Sequence, residues 1–212
     1  MKIGFYVSGT AGRLNKLLSI PQRDLIECTE IVFSDDIRNS FLEDKLAEFN
    51  VPYFCMNYPD IEGKNKSGTL SDRLLSLLNK YKVDYCFCFG DHILKGELLE
   101  VYKNRIINFH PSLLPLYPGR FAIDQAIADN CNLLGNTAHF IDSGIDTGPI
   151  IMQNVLSYKV YEDLGYEGIL SQQIPMIVNI FNLLKEDKIR VMKHRVQIID
   201  ADYGKTGFFP NI

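Results

Sequence analysis

The chain has 212 residues, 46% of them hydrophobic, which is enough for one sizeable core. Its 22 Lys and Arg against 26 Asp and Glu leave a net charge of −4, so it has no surplus of basic groups for nucleic acid or an anionic membrane surface. No apolar window reaches transmembrane length, and the opening MKIGFYVSGT meets Gly and Ser too early for a secretory signal; a cytoplasmic protein with neither nucleic-acid nor membrane partners is expected.

KIGFYVS is a strand candidate, followed by the Gly-containing loop SGTAGR and a short helix, RLNKLLSI, stopped by Pro21. TEIVFSD reads as the next strand, SFLEDKLAEF has helical spacing and VPYFCMN is a third strand. TLSDRLLSLLNKY is amphipathic at the helical period, VDYCFCFG is a fourth strand, ILKGELLEVY a helix and RIINFH a fifth strand. Beyond it, FAIDQAIADN reads as helix, GNTAHFID as a strand of alternating pattern, SGIDTG as a turn and PIIMQNVLS as a strand. A long helix from about residue 160 to Lys185 leads to one or two strands in IRVMKHRVQIID, and YGKTGFFPNI closes the chain as loop. None of the five cysteines forms a CxxC pair, and most sit in apolar runs, so they read as small core hydrophobes rather than metal ligands or disulfides.

Apolar strands alternating with helices imply an α/β fold, a mostly parallel sheet covered on both faces. Residues 1–160 form the expected core, with 161–212 a C-terminal helix and tail packed on the same domain. Ligands of such sheets bind beyond the carboxyl ends of the strands. Asn108 and His110, at the end of RIINFH, are two residues apart and so project to one side. An amide can donate to a developing oxyanion and an imidazole can move protons near neutral pH. The missing partner is a carboxylate, and DSGIDTG offers two, Asp142 and Asp146, between which spacing does not choose. Pro111, Pro115 and Pro118 stiffen the loop after His110. His139 shares a face with Thr137 and Ile141 and reads as a supporting or core residue as readily as a catalytic one. His92 and His194 carry no signal of their own, and no metal site is indicated.

NFHPSLLPLYPG followed by GNTAHFIDSGIDTGPIIMQ resembles the signature of the folate-dependent formyltransferases. That family includes glycinamide ribonucleotide formyltransferase, the catalytic domain of methionyl-tRNA formyltransferase and the N-formyltransferases of nucleotide-linked amino sugars. The resemblance is strong over residues 107–153 and weakens after about 160. It implies a modified doubly wound, Rossmann-like α/β sheet with helices on both faces and catalysis by Asn108, His110 and Asp146, with 10-formyltetrahydrofolate as formyl donor and no metal. It implies a folate pocket lined by Phe89, Gly90, Asp91, His92, Ile93 and Leu94 and by the loop of Ile141 and Asp142. A protonated His110 and Asn108 would hold the oxyanion, while Asp146 shuttles protons.

The implied acceptor is a small amine bearing phosphate. The family's phosphate loop corresponds here to Ser8, Gly9, Thr10, Ala11, Gly12 and Arg13, with Arg13 where the purine enzyme has Asn. The region 168–175 also lacks the acidic residue by which that enzyme holds its substrate. These departures, and a tail like that of the sugar enzymes, favour a nucleotide-linked amino sugar over glycinamide ribonucleotide. Methionyl-tRNA formyltransferase is disfavoured because nothing matches its RNA-binding domain and there is no basic excess, and the regulatory domain of the related folate deformylase has no counterpart here. A non-catalytic folate binder has no use for an intact Asn-His-Asp set. An apolar C-terminal helix or tail suits a homodimer.

Overall fold

The computed structural model describes residues 1–21, 23–193 and 195–204. His194 and most of the expected tail loop lie outside the described residues. In chain order the elements are β1 (Ile3–Val7), α1 (Gly12–Ser19), α2 (Arg23–Glu27), β2 (Thr29–Ser34), α3 (Leu42–Ala47), β3 (Tyr53–Cys55), α4 (Lys66–Lys80) and β4 (Tyr85–Phe89). They continue with α5 (Glu97–Val101), β5 (Ile106–His110), α6 (Ala122–Ala128), β6 (Leu133–Phe140), β7 (Ile150–Ser157), α7 (Tyr158–Ser171), α8 (Gln173–Lys185), β8 (Ile189–Val191) and β9 (Val196–Ile198). Seven strands form one sheet in the order β3-β2-β1-β4-β5-β6-β7, and β8 and β9 form a separate hairpin. The first five strands pair in parallel; β6 and β7 run antiparallel. This is the mostly parallel sheet that the alternation implies, in the doubly wound order that the family resemblance implies.

Period-two alternation builds both faces of the sheet. Phe5, Phe87, Phe89, Ile107 and Phe109 pack with Leu14 and Leu17 of α1 and Met176, Ile177, Ile180 and Phe181 of α8. On the other face, Tyr6, Phe33, Cys86 and Cys88 meet Leu70, Leu74, Leu77 and Leu78 of α4, which recur at the spacing of one helical face. With both faces covered, these strands read as continuous apolar runs. Cys86 and Cys88 are core residues as expected, whereas Cys55 is exposed.

The expected long helix after residue 160 is two helices. Gly165 takes φ 61° and ψ −153° within α7, a conformation open to glycine, and α8 starts afresh at Gln173. The one-turn α2 had no readable period. None of the described helices is long and apolar enough to cross a membrane.

The strand order turns outward in both directions from β1 and β4, which opens a crevice beyond their carboxyl ends. There the Ser8 N–H donates to the Phe89 carbonyl at 3.3 Å, and the Asp91 N–H donates to Ser8 Oγ at 2.9 Å. The two strand ends are thereby tied side by side under the crevice.

Candidate active site

β5 delivers Asn108 and His110 to the edge of the crevice, and β6 places His139 directly across the ladder from Asn108. The turn between β6 and β7 returns Asp146 over them. Asp146 adopts φ 54°, the left-handed region that Asp tolerates better than most residues, and this aims its carboxylate back at the strand ends. Asp146 Oδ2 lies 3.3 Å from His110 Nδ1, and its Oδ1 lies 3.4 Å from His139 Nε2. Asn108 Nδ2 donates to Asp146 Oδ1 at 3.4 Å and lies 3.3 Å from His139 Nε2. The Gly119 N–H donates to Asp146 Oδ2 at 2.7 Å. Of the two turn carboxylates, Asp142 is used locally: its Oδ1 accepts from the Gly144 N–H and from Thr147 Oγ1, closing the turn.

Backbone acceptors fix both imidazoles. His110 Nε2 lies 2.8 Å from the Tyr117 carbonyl, and His139 Nδ1 lies 2.9 Å from the Phe140 carbonyl, so each of these nitrogens carries a proton. The proton-exchanging nitrogens are then His110 Nδ1 and His139 Nε2, and both face Asp146. Burial opposes the charge on Asp146, but donation from His139 and Gly119 and the nearby imidazoles outweigh it and hold its pKa down to about 2. Burial also lowers the pKa of His110, against the Tyr117 carbonyl and Asp146, and His139 repels its charge. Burial thus biases the resting His110 toward its neutral form, against the pull of Asp146 and the Tyr117 carbonyl toward the charged one.

These groups open onto a cavity of about 970 Å³, at the upper end of the range for small-molecule sites. Its wall includes Gly90, Asp91, His92, Ile93, Leu94, Ile141 and Asp142 of the expected folate residues, but not Phe89, which is buried in the core. From the expected phosphate loop only Arg13 lines the cavity; Ser8 is buried, and Gly9, Thr10 and Gly12 lie outside its lining. Sequence reasoning did not find the cluster around His92. His92 Nδ1 is 2.7 Å from Oδ2 of the buried Asp35, which also accepts from the Tyr6 hydroxyl, and Tyr58 stacks on the imidazole at 3.5 Å between centroids. Asp35 joins this cluster from the end of β2, a connection that no spacing encodes. Gly148 serves the fold, since a Cβ there would sit 1.8 Å from the Phe140 carbonyl oxygen, whereas Gly144 of the same turn lines the cavity.

A mostly parallel, doubly wound sheet that sets a carboxylate between two imidazoles and an amide beyond its strand ends has the groups that proton transfer and oxyanion stabilisation need. Residues 1–165 match the family described as formyl transferase, and the chain belongs to it, in the branch of the folate-dependent formyltransferases. It is 27% identical over 164 residues to phosphoribosylglycinamide formyltransferase of Bacillus subtilis (strain 168), covering 77% of this chain and 83% of the relative. It is 32% identical over 117 residues to formyltetrahydrofolate deformylase of Haemophilus influenzae, covering 55% of this chain and 41% of that one. The crystal structure of glycinamide ribonucleotide transformylase 1 from Symbiobacterium toebii superposes with a TM-score of 0.80 at 27% identity, over 94% of each chain.

Proposed function

We propose that the protein moves a formyl group from 10-formyltetrahydrofolate to the primary amine of a small, phosphate-bearing acceptor. The observation that carries this is the approach of Asn108, His110 and His139 to one ionised carboxylate, Asp146, in the wall of a ligand-sized cavity. The amine nitrogen attacks the formyl carbon, and the carbonyl oxygen becomes an oxyanion. Asn108 is the group to hold that oxygen. Its two contacts are long, and such bonds tighten or exchange when a substrate arrives. Neutral His110, through Nδ1 and with Asp146 behind it, takes the proton from the attacking nitrogen. As the C–N10 bond breaks, a proton goes to N10, giving the formamide and tetrahydrofolate.

Glycinamide ribonucleotide is the acceptor best supported, because the formyltransferase relatives named above act on it. A nucleotide-linked amino sugar is the second reading. It rests on Leu170, an apolar residue in the cavity wall within the stretch where the purine enzyme places its acidic residue. Folate binding is proposed for the wall from Gly90 to Leu94 and for Ile141 and Asp142, and phosphate binding for backbone N–H groups of the turn from Ser8 to Arg13.

Release of tetrahydrofolate from 10-formyltetrahydrofolate, followed with glycinamide ribonucleotide and with dTDP-, UDP- and GDP-linked amino sugars, is the test. Turnover on glycinamide ribonucleotide is expected. Turnover confined to a sugar nucleotide moves the acceptor to the second reading. Formate released at the same rate with no amine present would overturn transfer in favour of hydrolysis, the reaction named for the deformylase relative.

A further inference from the structure

Phe109 lies between Asn108 and His110 on β5, and its carbonyl accepts from two side chains that the chemistry leaves unused. Arg13 Nη1 and Gln173 Nε2 each donate to it at 3.2 Å, and Arg13 Nη1 also donates to Gln173 Oε1 at 3.0 Å. Arg13 Nη2 donates to the Phe89 carbonyl at 3.4 Å, and the guanidinium lies 4.7 Å from the centroid of the Phe89 ring. Cys88 and Asn108 are the last paired residues of the β4–β5 ladder. Beyond them the carbonyls of Phe89 and Phe109 have left the ladder, and Arg13 supplies donors to both strand ends at once.

Gln173 is wholly buried, and its remaining contact is with Asn136 Oδ1 at 2.8 Å, so α8 and β6 grip it from behind. Among the described residues no carboxylate lies within ion-pair distance of Arg13. A guanidinium held by three bonds to the protein, two of them to strand-end carbonyls, is committed to the backbone that carries the reacting side chains. Its planar fork suits that bridging, and a Lys cannot reproduce it.

We propose that Arg13 and Gln173 form a latch on the Phe109 carbonyl that holds Asn108 and His110 in their working register. They are positioning residues, and Arg13 does not read the acceptor's phosphate. The inference rests on the formyl-transfer reading for its kinetic test.

Initial rates with both substrates varied would be compared for the wild-type protein, Arg13→Lys, Gln173→Ala and the double variant. In each single variant kcat is expected to fall about 10- to 100-fold, since small misplacements of catalytic groups cost on that order. The KM values for amine and folate should stay near those of the wild type. The double variant should lose little more than the worse single one, because both act on one carbonyl. A raised KM for the amine at unchanged kcat would return Arg13 to phosphate binding, and an unchanged kcat throughout would overturn the latch.

Ring nitrogen resonances of His110, followed by NMR in the same variants with no substrate, give a reading that does not depend on turnover. They should move, and with them the titration midpoint of His110, while His92 on Asp35 holds still. An unmoved His110 also overturns the latch. If the wild-type protein formylates no amine, the formyl-transfer reading fails, and the NMR experiment still decides the latch.

Discussion

Asp146 carries its negative charge in a partly buried place because backbone and amide donors meet it and two imidazoles stand beside it. The Gly119 N–H, the Asn108 amide and two imidazoles converge on two oxygens, and the result is a carboxylate held at a pKa of about 2. A carboxylate held below its unfolded value contributes stability that is complete above that value, 3.8, and is lost as pH falls through the folded one. His110 acts in the same direction at higher pH. Its lowered pKa means that the folded state resists protonation, so stability falls as pH drops below the ordinary 6.5.

Asp146→Asn is therefore expected to flatten the loss of stability between about pH 4 and pH 2, by on the order of 2 kcal/mol, in urea unfolding curves taken across that range. The same substitution removes the anion that pulls the proton toward His110. Turnover should fall by about 10²- to 10⁴-fold, as losses of general acid–base groups do, with the circular dichroism spectrum unchanged. His110→Ala should do likewise. Retention of most activity by either variant would remove the pair from the chemistry.

Among the elements, the turn from Ile141 to Gly148 shows how tightly local structure sets the site. Gly148 lets this turn close on the last residue of β6, and a Cβ there would meet the Phe140 carbonyl oxygen, which is backbone and cannot swing aside. Gly148→Ala should cost about 1–3 kcal/mol, an overpacking penalty, and should lower activity because Asp146 moves with the turn. Thermal melting and rate measurements on one preparation check both; a stable variant with normal rates would separate the turn from the carboxylate.

The same elements show what a sequence carries. The strands that lead to the site were legible because each is an apolar run between turn residues, and both faces of the sheet are buried. The long C-terminal helix is kinked inside α7 by the positive φ of Gly165 and broken at Gln172 before α8, and neither event is written in a hydrophobic period. Within the site, the spacing of Asn108 and His110 was readable along one strand. The partners that set their protonation were not: the Tyr117 carbonyl and the Gly119 N–H are backbone atoms, without a sequence code. His139 becomes a neighbour of Asn108 only through the β5–β6 register, and Arg13 turned inward to backbone carbonyls that no motif could announce.

At the scale of the whole molecule, the matched family region stops at residue 165, yet the core does not. Ile177, Ile180 and Phe181 of α8 are almost completely buried against strands β1, β4 and β5, the strands that carry the crevice, and Gln173 at the start of the same helix grips the Phe109 carbonyl. A chain cut at residue 165 would leave that face of the sheet in water and the strand-end carbonyl without one of its donors. We propose that α8 is part of the same cooperative unit as residues 1–160. Phe181→Ala should then cost about 3–5 kcal/mol of global stability, the usual penalty for emptying a core aromatic site. Its denaturant midpoint should fall with the slope unchanged, as when one transition covers the whole chain. Two resolved transitions, or a midpoint that moves only for a probe on α8, would show that the C-terminal segment folds apart from the sheet. In that case the positioning of Asn108 and His110 could not depend on it.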